Sequence, residues 1–263
     1  MKPVASFFNA PLALHEIVAR EMLALTRPGA GVGDFSSRND ARQYGFFEGV
    51  AVIPIQGVLA PDAPWWAEGT SYSWIRAGFD AALAADDVQA IVFDVNSPGG
   101  TVEGCFDLVD HIYQSRGTKP IWSILSESAY SAAYALASAA DQITVPRTGG
   151  AGSIGVVAMH VDVSKYLEDL GIKVTYFQHG ARKTDGVSEK PLSDEAMSCF
   201  STEVNEMGEL FIATVARNRK IDADKIRKME AGTFLGADAV KNKLCDQVLA
   251  PNEAFSQLLE ILS

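Results

Sequence analysis

Ser131 stands where an apolar run ends and a run of small residues begins. Residues 121–125 have the pattern of a buried strand, and after a short polar turn the chain continues into about ten residues dominated by alanine, a helical pattern. A serine in the first turn of a helix lies beside free backbone N–H groups and the positive end of the helix dipole, which stabilise a developing oxyanion. Ser131 is therefore a candidate nucleophile, although serine is also a common helix N-cap.

The sequence has two glycine-rich stretches, the first of which could supply backbone donors for such an oxyanion. Residues 96–100, Asn-Ser-Pro-Gly-Gly, follow an apolar run and precede a helical pattern, and residues 149–156 form a second glycine-dense turn. Gly99 and Gly100 would let the backbone approach a substrate closely, although tight turns need glycines anyway. The second stretch lacks the lysine and spacing of a phosphate-binding loop and is not a dinucleotide fingerprint.

Two lysines could act as the base. Lys183 lies in a third glycine-bounded segment, residues 180–186, and Lys190 follows it. Taken alone, either would be an ordinary solvated surface lysine. Glu189 and Asp194 lie close to Lys190 in the sequence and favour its charged form, so Lys183 is the better candidate.

Taken together and in this order, these stretches resemble the signal peptide peptidase A family of serine peptidases, whose fold is shared with the caseinolytic protease and crotonase groups. The resemblance runs from about Gly49 to Val248. It covers the Ser-Pro-Gly-Gly turn, Ser131 with Tyr134, the Gly-Ser-Ile-Gly-Val run, the Gly-x-x-Lys segment and a closing segment at residues 232–246.

The resemblance implies a Ser/Lys dyad. Ser131 would be the nucleophile and Lys183 the general base, with the N–H groups of Gly99 or Gly100 and of Ala132 forming the oxyanion hole. Ser153 would hydrogen-bond the lysine amine and orient it. The family commonly has glycines after the nucleophile, whereas this chain has Ala132 and Ala133, which favours a small or shifted substrate side chain.

The dyad makes a physical demand on Lys183. A free lysine has a pKa near 10.4, so Lys183 could accept a proton at neutral pH only if burial lowers that pKa by about 3, roughly 4 kcal/mol. We therefore expect the working site to be dry around this amine.

The remaining patterns predict an α/β fold with mainly parallel strands and outer helices. Strands are predicted at 50–55, 90–95, 121–125, 143–145, 156–161 and 174–177, and helices at 11–26, 72–86, 102–116, 193–219 and 222–230, with another ending near 243 and a last one from Glu253. Residues 1–45 are interpreted as an N-terminal helical extension with a linker, and 46–263 as the peptidase domain.

Composition argues against several kinds of partner and site. A net charge of −11 disfavours a nucleic-acid partner. The three cysteines, Cys105, Cys199 and Cys245, are scattered and indicate neither disulfides nor a zinc site, and no apolar stretch is long enough to span a membrane. We expect no cofactor, no metal and a cytoplasmic protein of the bacterial host or the phage procapsid.

The absence of a membrane-anchoring start favours the phage and prophage branch of the family, the capsid maturation proteases. The resemblance then implies an extended peptide or protein substrate, namely scaffold or capsid proteins, and a ring-like homo-oligomer. It leaves two arrangements of the dyad open: Ser131 and Lys183 come from the same chain or from adjacent subunits. Three alternatives remain: a bacterial signal-peptide-degrading peptidase, a crotonase-like acyl-CoA enzyme, and a catalytically silent capsid assembly factor.

Overall fold

The computed structural model describes residues 12–14, 43–62 and 69–263, and for 12–14 it describes the backbone alone. Within these residues ten strands form one sheet. The strands are β1 (Leu12–Leu14), β2 (Gly45–Phe47), β3 (Val50–Ala60), β4 (Gly69–Ser71), β5 (Ala90–Thr101), β6 (Ile121–Tyr130), β7 (Gln142–Val145), β8 (Gly150–Gly152), β9 (Thr233–Leu235) and β10 (Gln247–Val248).

Eight α-helices accompany the sheet in the described part of the chain. They are α1 (Tyr72–Ala84), α2 (Cys105–Gln114), α3 (Ala132–Ser138), α4 (Ser164–Asp169), α5 (Asp194–Arg219), α6 (Ala223–Arg227), α7 (Gly236–Lys241) and α8 (Pro251–Leu262). The main path of the sheet runs β10-β7-β6-β5-β3-β2, while β1 pairs with β5, β4 with β3, and β8 with both β6 and β9.

The centre of the sheet is parallel. β3 pairs with β5, β5 with β6 and β6 with β7, all in parallel register. The apolar runs that form these strands are covered on both faces, as a parallel sheet requires. One face packs against α1, α2 and α3 in the main core, and the other packs against α8 through Ala254 and Leu258. The predicted α/β class with mainly parallel strands is confirmed.

Several predicted helices agree closely with the structure. The longest, α5, begins after Ser193, whose side chain accepts a hydrogen bond from the Ala196 N–H, and ends at Arg219. Helix α1 begins after Ser71, whose hydroxyl accepts from the Trp74 N–H. Both starts have a serine N-cap, the signal that the sequence carries.

Three predictions were wrong. The helix predicted over 11–26 is contradicted at Leu12–Leu14, which is strand β1; its other residues lie outside the described part of the chain. The predicted strands at 156–161 and 174–177 do not form. The second of these has apolar residues in strand-like alternation, but it is exposed and has no neighbouring strand in the described chain to complete its hydrogen bonds.

The predicted turns around the site are also more regular than expected. Residues 96–100 continue β5 as far as Thr101, residues 126–130 continue β6, and the glycine-dense stretch begins as β8. The strands therefore extend up to the candidate nucleophile.

Candidate active site

Ser131 lies at the junction between β6 and α3. Its backbone has φ 55° and ψ −123°, a region that non-glycine residues rarely occupy. The residue is completely buried, and its hydroxyl has no hydrogen-bond partner in the described part of the chain. Its side chain does not cap α3. A strained, unpartnered serine on a sharp strand-to-helix turn is the geometry expected of a nucleophile, and the N-cap alternative does not account for it.

Strand β8 holds this junction from one side. Tyr130 is in register with Gly152, and the Ser131 N–H donates to the Gly152 carbonyl at 2.8 Å. Gly152 has φ +123°, and a Cβ there would lie 2.5 Å from the Gly232 carbonyl oxygen. The glycine run is therefore a support for the nucleophile's backbone.

Helix α3 is held in place by burial and by hydrogen bonds to other parts of the chain. All seven of its residues are buried, and the Tyr134 hydroxyl donates to the Leu244 carbonyl at 2.9 Å. The Arg116 guanidinium donates to the carbonyls of Ser138, Ala139 and Ala140, which end the helix. These carbonyls would otherwise lack partners, so Arg116 fixes the helix that carries Ser131.

The glycines predicted for the oxyanion hole lie at the end of β5. The Gly99 N–H donates to Ser97 Oγ at 3.1 Å, and Ser97 Oγ in turn donates to the Gly57 carbonyl at 2.6 Å. A Cβ at Gly100 would lie 1.8 Å from the Leu59 carbonyl oxygen, so β3 admits only glycine there. In this arrangement the Gly99 N–H is already occupied. Ala132 is the first residue of α3, where backbone N–H groups have no acceptor within the helix.

The end of β5 is held by a further contact. The buried Tyr72 hydroxyl donates to the Thr101 carbonyl at 2.7 Å. Burial raises the pKa of Tyr72 well above its usual value of 10.0, so this phenol is a neutral donor at any ordinary pH.

The structure places Lys183 on the surface of the single chain, whereas Ser131 is buried. Lys183 lies in the 3₁₀ turn Ala181–Thr184, is exposed, and belongs to a run from 171 to 183 in which every residue is exposed. No hydrogen bond joins its amine to the Ser131 hydroxyl. The competing base, Lys190, donates to Thr184 Oγ1 at 2.7 Å.

Ser153 is adjacent to the site through its backbone. It has φ 55°, and its N–H donates to the Gly232 carbonyl at 2.9 Å. No hydrogen bond connects it with Lys183 in the described residues. Its predicted role as the residue that orients the lysine therefore stays a prediction.

Sequence reasoning missed three supporting residues: Gly152, Ser97 and Arg116. Gly152 and Ser97 stand in the two glycine-rich stretches that the sequence analysis singled out. The sequence did not indicate which hydrogen bonds these two residues make. No sequence pattern indicated the role of Arg116, because it lies just after α2 and is far in sequence from the end of α3, which it caps.

Among the residues that the structure describes, no group of three or more His, Cys, Asp or Glu side chains could hold a metal ion. Nor does any described helix combine the length and the apolarity needed to cross a bilayer.

Comparison with known proteins finds relatives in phages and in bacteria. The chain is 28% identical to the head-tail preconnector protein GP5 of Enterobacteria phage P21, over 99% of this chain and 57% of that protein. It is 29% identical to the capsid assembly protease C of Escherichia phage lambda, over 94% of this chain and 56% of that protein. It is also 30% identical to Protease 4 of Salmonella typhi, over 81% of this chain and 34% of that protein.

The chain thus spans little more than half the length of the two phage relatives. A solved structure of the 1510-N membrane-bound stomatin-specific protease, S97A mutant, aligns with a TM-score of 0.49 and 17% identity, over 79% of this chain and 83% of that one. Residues 114–262, which include Ser131 and Lys183, match the peptidase family S49. The chain belongs to peptidase family S49.

Proposed function

We propose that this chain is a serine endopeptidase that processes scaffold and head proteins during phage capsid maturation. The observation that carries the proposal is Ser131: buried, strained and unpartnered at the β6–α3 junction. Family membership supports the chemistry. The names of the two phage relatives, which match 99% and 94% of the chain, support the biological setting. The setting would be the bacterial host cytoplasm or the procapsid.

The mechanism would be acyl transfer. The Ser131 hydroxyl attacks a peptide carbonyl while a base takes its proton, and the tetrahedral oxyanion is held by backbone N–H groups at Gly100 and Ala132. The base then gives its proton to the leaving amine, and water hydrolyses the acyl-enzyme. Gly99 could join the oxyanion hole only if its N–H leaves Ser97 Oγ.

The base would be Lys183, delivered by a neighbouring subunit. In the single chain Lys183 is exposed and the Ser131 hydroxyl has no partner among the described residues, so the site is incomplete. Burial against another subunit would supply both the contact and the desolvation that lowers a lysine pKa.

The exposed run that contains Lys183 supports this assembly. Ile172, Val174, Tyr176 and Phe177 are all exposed large apolar side chains, and Phe177 is 96% exposed. Such a cluster is typical of a protein–protein interface. A ring of identical subunits would cover it and place each Lys183 beside the next subunit's Ser131.

The test compares the wild type with Ser131→Ala, Lys183→Ala and Lys190→Ala on unfolded casein and on candidate scaffold protein. Loss of about 10³-fold or more in kcat/KM is expected for the first two, and little change for Lys190→Ala. Activity retained by Ser131→Ala or Lys183→Ala would refute the dyad. A fully active chain that cuts casein but no scaffold or head protein would refute the capsid setting alone.

A further inference from the structure

The chain places one of its own segments against the end of β5. Strand β1 pairs antiparallel with β5, with Leu12 opposite Thr101, Ala13 opposite Gly100 and Leu14 opposite Gly99. These partners include both glycines proposed for the oxyanion hole.

The register shows which edge of β5 is occupied. The opposite edge is taken at the same residues by β3, which pairs Val58 with Gly99 and Leu59 with Gly100. β1 must therefore lie on the edge that β6 uses earlier along the strand, up to the pair Ser97 and Ala129.

This edge faces the candidate nucleophile. Ser131 comes two residues after Ala129 on β6, and Gly99 comes two residues after Ser97 on β5. Beyond that pair the two strands part, because β6 turns into α3 while β5 continues to Thr101. The pairing of β1 with β5 thus begins beside the Ser131 junction.

A strand edge next to a nucleophile is where an extended peptide would bind, by adding a strand to the sheet. One edge of β5 can pair with only one strand at a time. We infer that Leu12–Leu14 is an internal occupant of the peptide-binding edge, which a substrate strand must displace before it pairs with Gly99–Thr101. This inference rests on the proposed peptidase function and adds a means of holding the site closed.

The energetics favour a displaceable occupant. A tethered segment acts at an effective concentration of about a millimolar, so even weak pairing competes with substrate. Three paired residues make only a few hydrogen bonds, each with a small net contribution to stability. A substrate that pairs over a longer stretch can therefore displace β1.

The test locks β1 in place and measures peptide binding. Leu12 and Thr101 are directly opposed, and antiparallel partners lie within the Cα separation that a disulfide spans. Thr101 tolerates exchange because its buried hydroxyl has no hydrogen-bond partner in the described chain, and its carbonyl contact with Tyr72 is made by the backbone. The double variant Leu12→Cys/Thr101→Cys is made in a Ser131→Ala background, so that the probe is not cut.

The probe is a fluorescein-labelled synthetic peptide with the sequence of residues 9–17, and fluorescence anisotropy measures its Kd. We expect oxidation to link positions 12 and 101, as seen by peptide mass spectrometry, and to weaken probe binding at least tenfold, with recovery on reduction. The matched controls, Leu12→Cys alone and Thr101→Cys alone, should bind the probe equally well in both states.

Two results would overturn the inference. One is a link that fails to form although the reduced variant is folded, because β1 would then not lie on β5. The other is a complete link with unchanged probe binding, because β1 would then not occlude the edge. Binding is read without catalysis, so a wild type that cuts no peptide would remove the proposed function while leaving this result interpretable.

Discussion

The Ser131 N–H donates a 2.8 Å hydrogen bond to the Gly152 carbonyl. This bond ties the strained junction of β6 and α3 to β8, which is itself held by β9 through antiparallel pairing of Gly152 with Thr233. The position of the candidate nucleophile therefore depends on a glycine that is far from it in sequence.

Gly152→Ala should damage both folding and catalysis. Its φ of +123° is unfavourable for alanine, and the added Cβ would lie 2.5 Å from the Gly232 carbonyl oxygen. We expect a loss of about 2–4 kcal/mol in the free energy of unfolding and a large fall in kcat for casein, measured by urea denaturation and by steady-state kinetics. Gly208→Ala is the control, because it lies in α5 with open space around it. It should gain up to about 1 kcal/mol. Equal stability of both variants would contradict this account.

Substitution of Ser131 should abolish activity and raise stability. Glycine accepts φ 55° and ψ −123° without strain, whereas serine keeps both the strain and a buried hydroxyl without a described partner. Ser131→Gly should therefore be more stable than the wild type by about 1–3 kcal/mol. Ser131→Ala should gain less, since it removes the hydroxyl and keeps the strain. Thermal unfolding checks the order; a destabilised Ser131→Gly would mean that the strain is absent.

Removal of the Arg116 guanidinium should loosen the helix that carries the nucleophile. Arg116 donates to three carbonyls at the end of α3 and to the Asn218 carbonyl, and it stacks on the Tyr113 ring at 4.6 Å. Arg116→Met should lower the free energy of unfolding by about 3 kcal/mol, because several buried carbonyls lose their donor.

Arg116→Lys should recover less than half of that loss, since one ammonium cannot reproduce the planar fork. The control is Arg227→Met, whose ion pairs with Glu209 and Asp224 are solvent-exposed and should contribute no more than about 1 kcal/mol. If Arg116→Met cost no more than the control, the guanidinium would have no part in holding α3.

The buried cysteines should be chemically inert in the folded protein. Burial raises the pKa of Cys105 and of Cys245 to about 12, so almost no thiolate exists at pH 8. Iodoacetamide at pH 8 should label Cys199 alone, as checked by peptide mass spectrometry. Labelling of Cys105 in the native protein would contradict this.

The same pKa values set a pH dependence. Both thiols ionise more easily in the unfolded chain, near the ordinary value of 9.0, than in the folded one. Their contribution to stability is complete below about pH 9 and is lost as the pH rises from 9 to 12. Urea denaturation of wild type and Cys105→Ala should show a shallower decline for the variant over this range.

The sequence predicted most of what local patterns can encode. Buried parallel strands appear as continuous apolar runs, and the serine before α5 marks where that helix begins. Ser131 was singled out because a serine between a strand pattern and a helix pattern is locally visible, and the family resemblance then made it the candidate nucleophile. The positive φ of Ser131 could not be predicted in this way, because the Ser131 N–H is held by the carbonyl of Gly152, which is distant in sequence.

The errors occurred where the chain needs distant partners. Residues 174–177 have the composition of a strand but lack a neighbour in the described chain, and Leu12–Leu14 follows a helical pattern yet pairs with β5. In both cases the backbone conformation depends on a tertiary contact. Leu12–Leu14 has such a contact with β5, whereas residues 174–177 have no strand partner in the described chain. The proposed pairing of Lys183 with Ser131 of another subunit could not be predicted from local sequence either, because no local pattern specifies a contact between subunits.

The most direct test of the shared dyad mixes two inactive proteins. Ser131→Ala and Lys183→Ala are each purified, mixed in equal amounts, dissociated, allowed to reassemble and assayed for casein cleavage. If each site combines Ser131 of one subunit with Lys183 of the next, about a quarter of the sites in the mixture contain both residues, and activity should return to about that fraction of wild type. A mixture that reassembles into the wild-type oligomer and stays inactive would contradict the account.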